Sequence, residues 1–173
     1  VIYDIINEIS SERIEKDVNK LVSFGTRHTL SDTISKTRGI GAARRWIKST
    51  FEKISLECNN CLEVIYQKNY FPKNKRRLVK NVWINNVLAI QRGTKYPDKY
   101  IIMSGDIDSR VSDPNDFNSD SPGANDNASG MAGVIEVSRV LSKYKFENSI
   151  IYVGLSGEEQ GLYGGIGLAE HAK

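Results

Sequence analysis

Three acidic clusters carry the chemistry of this chain. An apolar run, Tyr100-Ile101-Ile102-Met103, leads into Ser104-Gly105-Asp106-Ile107-Asp108-Ser109. Pro122-Gly123-Ala124-Asn125-Asp126-Asn127-Ala128-Ser129-Gly130 follows, and then Ser156-Gly157-Glu158-Glu159-Gln160-Gly161. Each cluster stands where a strand should end or a helix begin, and in open α/β sheets ligands gather at such ends. Carboxylates brought together there repel unless a cation sits among them, so the pattern asks for a metal ion. Asp126 falls at the start of a predicted helix, where the dipole and free N–H groups favour the ionised form that a metal ligand needs. Glu158 and Glu159 are neighbours and point in different directions. One can hold metal while the other faces an activated water as general base. Taken singly, each feature has a plainer reading: an Asp at a helix start is usually a cap, and a Glu-Glu pair is usually surface. Their succession at three element ends of one sheet favours a metal site.

The elements that must position these residues follow from periodicity. Ser10 or Ser11 can cap a first helix whose apolar face is Ile14, Val18, Leu21 and Val22, ending at Gly25. A second helix is expected from about Ile40 to Ile54. Leu62 to Phe71 and Val79 to Gln91 read as strands, with a kink at Asn85-Asn86. Tyr100 to Ser104 reads as a buried strand, Asn127 to Lys143 as a helix, Ser149 to Leu155 as another buried strand, and Gly161 to Lys173 as the start of one more helix. Gly130, Ala132 and Gly133 are expected to let the helix approach the sheet closely. Strand, helix, strand, helix in this order implies parallel pairing through a right-handed crossover.

Composition excludes several classes. The chain has 173 residues, room for one domain, with 39% hydrophobic and 26% charged residues. A net charge of +3 argues against nucleic acid as a partner. The basic run Lys73-Asn74-Lys75-Arg76-Arg77 reads as a solvated hairpin loop. No apolar run is long enough to cross a bilayer, and no signal peptide is visible. The chain opens at Val1, which suggests a processed or trimmed product. Cys58-Asn59-Asn60-Cys61 cannot supply the thiolates of a structural zinc site, and it follows a helix rather than a strand. It is either a local disulfide or two free thiols.

The ordered pair Gly-Ala-Asn-Asp-Asn-Ala-Ser-Gly and Ser-Gly-Glu-Glu-Gln-Gly resembles the co-catalytic di-zinc aminopeptidases, of the bacterial leucyl aminopeptidase and aminopeptidase Y type. Their fold is shared with the glutaminyl cyclases. The likeness extends back to Phe24-Gly25-Thr26-Arg27-His28, Arg38-Gly39-Ile40-Gly41-Ala42-Ala43-Arg44 and Asn86-Val87-Leu88-Ala89, covering nearly the whole chain. It implies an α/β fold: three αβα layers around a mixed, mainly parallel sheet of zinc-exopeptidase type. It implies that residues 1–173 are the N-terminal part of one catalytic domain, truncated at its C-terminus. Asp126 would bridge two Zn²⁺ ions, Glu158 would take a proton from the bridging water, and Glu159 would be a terminal ligand. The substrate would be a peptide losing its N-terminal residue. A secreted or periplasmic protein is expected.

Two departures qualify the resemblance. The family opens its metal motif with His-x-Asp, whereas this chain has Asp106-Ile107-Asp108. Asp106 can stand in as an oxygen ligand, leaning the site toward Mn²⁺ or Mg²⁺. Asp108, in the place of an Asp that supports the histidine ring, then lacks that partner. Either one of the two is protonated or Asp108 binds metal itself. The family also needs a further carboxylate and a further His beyond Glu159. His171 falls too early and reads as a solvent-side helix residue, and His28 as a structural loop residue. The alternatives are a non-catalytic or metal-altered peptide-binding relative, a glutaminyl-cyclase-like acyltransferase, and a Mg²⁺-dependent phosphatase using the first Asp of Asp-x-Asp as nucleophile.

Overall fold

The structure is a computed structural model and describes residues 1–74 and 76–172. Lys75 of the basic run and Lys173 at the end of the last expected helix lie outside the described residues. The order is α1 (Ile2–Glu8), α2 (Ser11–Val22), α3 (Gly39–Glu57), β1 (Leu62–Phe71), β2 (Val82–Gln91), β3 (Tyr96–Asp106), α4 (Ser129–Leu141), β4 (Asn148–Leu155) and α5 (Tyr163–His171). Ser10 caps α2, its side chain accepting the Arg13 N–H at 3.2 Å. Such a cap is worth about 1 kcal/mol.

The strands form a mixed sheet in the order β1-β2-β4-β3. β1/β2 and β2/β4 pair antiparallel, and β3/β4 pairs parallel through the α4 crossover. One face carries the main core, where Leu21 of α2, Ile47 and Phe51 of α3, and Met131 and Ile135 of α4 meet Val87, Ala89 and Tyr152. Fully burying an aliphatic or phenyl side chain of this kind contributes about 1.5–3 kcal/mol. Leu88, Ile90 and Val153 line the opposite face, where Leu168 of α5 packs against them. The result is a sheet with helices on both faces.

Three expectations change. β2 runs without interruption from Val82. Asn85-Asn86 does not kink it, because the buried Asn86 amide has partners: it donates to the Gln67 side chain and the Gly164 carbonyl, and accepts the Ser156 N–H. β3 is longer than expected and is not buried. It forms the edge of the sheet, so Ile101 and Ile102 are about half exposed, at 53% and 51%. Close approach of α4 to the sheet is set on the strand side. A Cβ on Gly105 would stand 2.8 Å from the Met131 backbone, whereas one on Gly133 would meet nothing within 4 Å. The cysteine pair is a disulfide, Cys58–Cys61, just after α3.

Candidate metal centre

The parallel register sets Asp106 opposite Leu155. The C-terminal ends of β3 and β4 therefore lie side by side. The loop after β4 carries Glu158 and Glu159 onto the rim where β3 delivers Asp106. Gly157 makes that loop possible: its φ is +79°, and a Cβ there would stand 2.9 Å from the Ile84 side chain. Ser156 ties the loop back to β2, its hydroxyl donating to the Asn85 carbonyl at 2.8 Å.

Asp126 reaches the same rim from the turn Ala124–Ala128, joined to its neighbour by the cis peptide Asp126-Asn127. The expected helix start at Asn127 is corrected here. α4 begins at Ser129 with Ala128 as N-cap, so Asp126 is neither the cap nor part of the first helical turn. Its backbone is non-helical, with φ −117° and ψ 99°, and its side chain is exposed. Asn127 Nδ2 donates to Asp106 Oδ2 at 3.3 Å and joins this turn to the end of β3.

Two of the four carboxylates register the charge of the others. Burial raises the Asp106 carboxyl above its ordinary value, Asn127 opposes the rise, and the charges of Asp126 and Glu159 add to it. Burial also raises Glu158, and Asp106, Glu159 and Asp126 push it further, with Arg110 pulling the other way. Mutual repulsion of this kind is relieved by a cation.

Asp108 has a different place from the one a metal ligand would take. It is buried, and both of its oxygens are occupied. Oδ1 accepts the N–H groups of Gly157 and Glu158 at 2.9 and 3.2 Å. Oδ2 accepts the Glu159 N–H at 3.1 Å and the Thr29 hydroxyl at 2.8 Å. Its partner is thus the backbone of the Glu158–Glu159 loop, and no lone pair is left for metal. Burial pushes the Asp108 carboxyl up to about 6 against the pull of these donors.

Three arginines complete the site: Arg110, which no motif marks; Arg77, expected only in a solvated loop; and Arg27, whose sequence context gives it no site role. Arg110 Nε pairs with Glu159 Oε2 at 2.6 Å. Arg77, from the basic run, donates to the Glu159 carbonyl at 2.5 Å. Arg27 is fully buried and donates to the carbonyls of Ile107, Leu21, Pro122 and Gly123, at 2.8, 3.2, 2.7 and 2.9 Å. It thereby staples the loop after β3 to the loop before Asp126. Burial pulls its guanidinium down to about 10, with Asp108 opposing.

Neither histidine joins the cluster. His28 is buried; its Nδ1 accepts the Leu30 N–H at 3.0 Å, which leaves Nε2 to donate to the Pro114 carbonyl at 3.0 Å. Burial lowers its pKa. His171 is exposed at the end of α5.

Among the described residues, no three His, Cys, Asp or Glu side chains are drawn together closely enough for one ion to touch them all. The donor set nonetheless fits a divalent cation in charge and kind. It is all carboxylate, partly buried, and repelled by its own members. Glu159 is held by a guanidinium, a competing positive charge.

The sequence pattern described as Peptidase family M28 matches residues 86–173. A probable zinc metalloprotease of Pyrenophora teres f. teres is 47% identical over 169 residues, which cover 98% of this chain and 35% of that protein. Another, of Leptosphaeria maculans, is 45% identical over 160 residues, covering 92% and 37%. The chain thus spans little more than a third of the length of these curated relatives. Among solved structures, LapB of Legionella pneumophila has a TM-score of 0.75 at 20% identity, covering 98% of this chain and 41% of that one. A glutaminyl cyclase of Fimbriiglobus ruber has a TM-score of 0.65 at 19% identity, covering 87% and 46%. These two likenesses concern the fold. With a family pattern covering half the sequence and a relative 47% identical along nearly all of it, the chain belongs to Peptidase family M28.

Proposed function

We propose that this chain is the carboxylate-bearing part of a metal-dependent aminopeptidase acting on peptide N-termini. The observation that supports the reading is the placement of Asp106, Asp126, Glu158 and Glu159 along one rim of the sheet, where the charges of Asp126 and Glu159 add to the raised proton affinity of Asp106 and Glu158. Asp126 and Glu159, with Asp106 in place of an imidazole, would hold the metal. Zinc is the ion in the relatives' names, and two ions are proposed for the complete site. A bound cation neutralises the repelling carboxylates and polarises the scissile carbonyl.

The chain's own residues then have separable roles. Glu158 accepts a proton from the attacking water and returns it to the leaving amine. Its raised proton affinity brings it nearer the working pH of a general base. Asp108 fixes the backbone at 157–159 and so aims Glu158 and Glu159. Asn127 orients Asp106, and Arg27 holds the two loops in register. The Cys58–Cys61 disulfide suits an oxidising compartment and supports a secreted protein.

The test is Glu158→Gln in the protein carrying this chain, assayed on aminoacyl-nitroanilides alongside metal analysis. The expected variant keeps its metal content and loses turnover by about 10²–10⁴-fold. Full activity in that variant would remove Glu158 from the reaction. A metal-altered or non-catalytic peptide-binding relative is the second reading. It is favoured by Asp106 in the imidazole position and by the Arg110–Glu159 pair. Peptide binding with no chelator-sensitive hydrolysis would select it.

A further inference from the structure

The Thr29–Ile34 loop, the start of β2 and the Phe117 segment line an open cavity of about 670 Å³. It adjoins the candidate metal centre through Thr29, whose hydroxyl donates to Asp108. Arg44 of α3 lines it and is 7% exposed. Among the described residues this guanidinium has no hydrogen bond and no ion pair; burial pulls its proton affinity down, with only the Tyr66 hydroxyl opposing and Arg45 adding to the fall. Its neighbour Arg45 shows the contrast, donating to the carbonyls of Thr33, Ile34 and Ser35 and fixing the rim. A buried guanidinium with no counter-ion is costly, so a ligand anion at Arg44 recovers what folding leaves unmet.

The surroundings narrow the ligand. Lys80 adds a second positive charge, with Nζ 3.0 Å from the Leu30 carbonyl and 4.7 Å from the Phe117 ring centre. The one carboxylate on the wall, Asp32, accepts the N–H groups of Ile34 and Ser35 at 2.6 and 2.9 Å, both on Oδ1. Trp83 and Phe117 give the cavity apolar walls. Asn85 also lines it. A planar guanidinium fork matches a carboxylate.

We infer that this cavity binds a carboxylate of a peptide, its C-terminal group or an acidic side chain, with Arg44 as the recognising residue. The inference deepens the peptidase reading by naming a substrate class. It is tested by binding without metal, so its failure and the failure of that reading are distinguishable.

Calorimetry in the presence of chelator would compare N-acetyl-Ala-Ala, its C-terminal amide, N-acetyl-Asp-amide and inorganic phosphate. At least one carboxylate peptide should bind tenfold or more tighter than N-acetyl-Ala-Ala-amide, and which one does so identifies the source of the carboxylate. Arg44→Gln should abolish that preference, and Arg44→Lys should retain part of it. Lys80→Gln should weaken it about threefold and serves if Arg44→Gln does not fold. Equal binding of acid and amide, an unchanged preference in Arg44→Gln, or phosphate binding as tightly as the carboxylate would each overturn the assignment.

Discussion

At the scale of single residues, Asp108 and Arg110 decide how the acidic rim is presented. Asp108 accepts four hydrogen bonds, three of them from consecutive backbone N–H groups. Asparagine is nearly the same shape but turns an N–H₂ toward donors. Asp108→Asn should therefore cost about 3 kcal/mol of stability, read as a lower urea midpoint. An unchanged midpoint would mean that the loop does not depend on this clamp. Arg110 competes with any cation for Glu159. Arg110→Ala should tighten Zn²⁺ or Mn²⁺ binding by about 5–10-fold, the equivalent of about 1 kcal/mol of partly buried ion pair. Weaker binding would show that Arg110 assists the site instead. Asp106, Asp126, Glu158 and Glu159 could be picked out in the sequence because each lies just past a strand or just before a helix. Arg110 could not, because its partner is 49 residues away and nothing local marks it.

Among the elements, helix α4 is fastened to the N-terminal helices by one buried carboxylate. Glu136 is 1% exposed, accepts the Ser10 N–H at 2.9 Å, and pairs with Arg13 and with Arg139, which also reaches Asp17. Glu136→Ala should cost about 2 kcal/mol, since it takes a buried acceptor from the part-buried Ser10 N–H, Arg13 and Arg139. The pH dependence has a definite sign. Burial raises the Glu136 carboxyl, but Arg13, the Ser10 N–H and Arg139 outweigh it and hold the carboxyl below its ordinary value. A depressed folded value gives stability that is present above the unfolded carboxylate range, about 4.3, and lost as the pH falls through the lower folded value. Urea midpoints measured between about pH 5 and pH 3 should fall less steeply in Glu136→Gln than in the wild type. Parallel slopes would contradict the pairing. The sequence shows α2 through its cap and apolar spacing, and α4 through its periodicity. It does not show that Glu136 sits on the buried side, because its partner Ser10 is 126 residues distant. The burial expected of β3 fails for a related reason. An apolar run signals a strand but not its position in the sheet, and this strand lies at the edge.

At the scale of the whole molecule, parallel pairing of β3 with β4, and the turn before α4, bring separate acidic motifs to one rim, which we propose holds a cation. That convergence was legible from the order of elements, since a right-handed crossover places consecutive parallel strand ends side by side. The arginine staples were not, since Arg27 reaches carbonyls up to 96 residues away. Calorimetric titration of the metal-free protein with Zn²⁺ tests the claim most directly, comparing wild type with Asp126→Asn, Glu159→Gln and Glu158→Gln. Wild type and Glu158→Gln should bind alike, and Asp126→Asn and Glu159→Gln at least tenfold more weakly. Binding in those two variants equal to wild type, or no binding in the wild type at all, would contradict it.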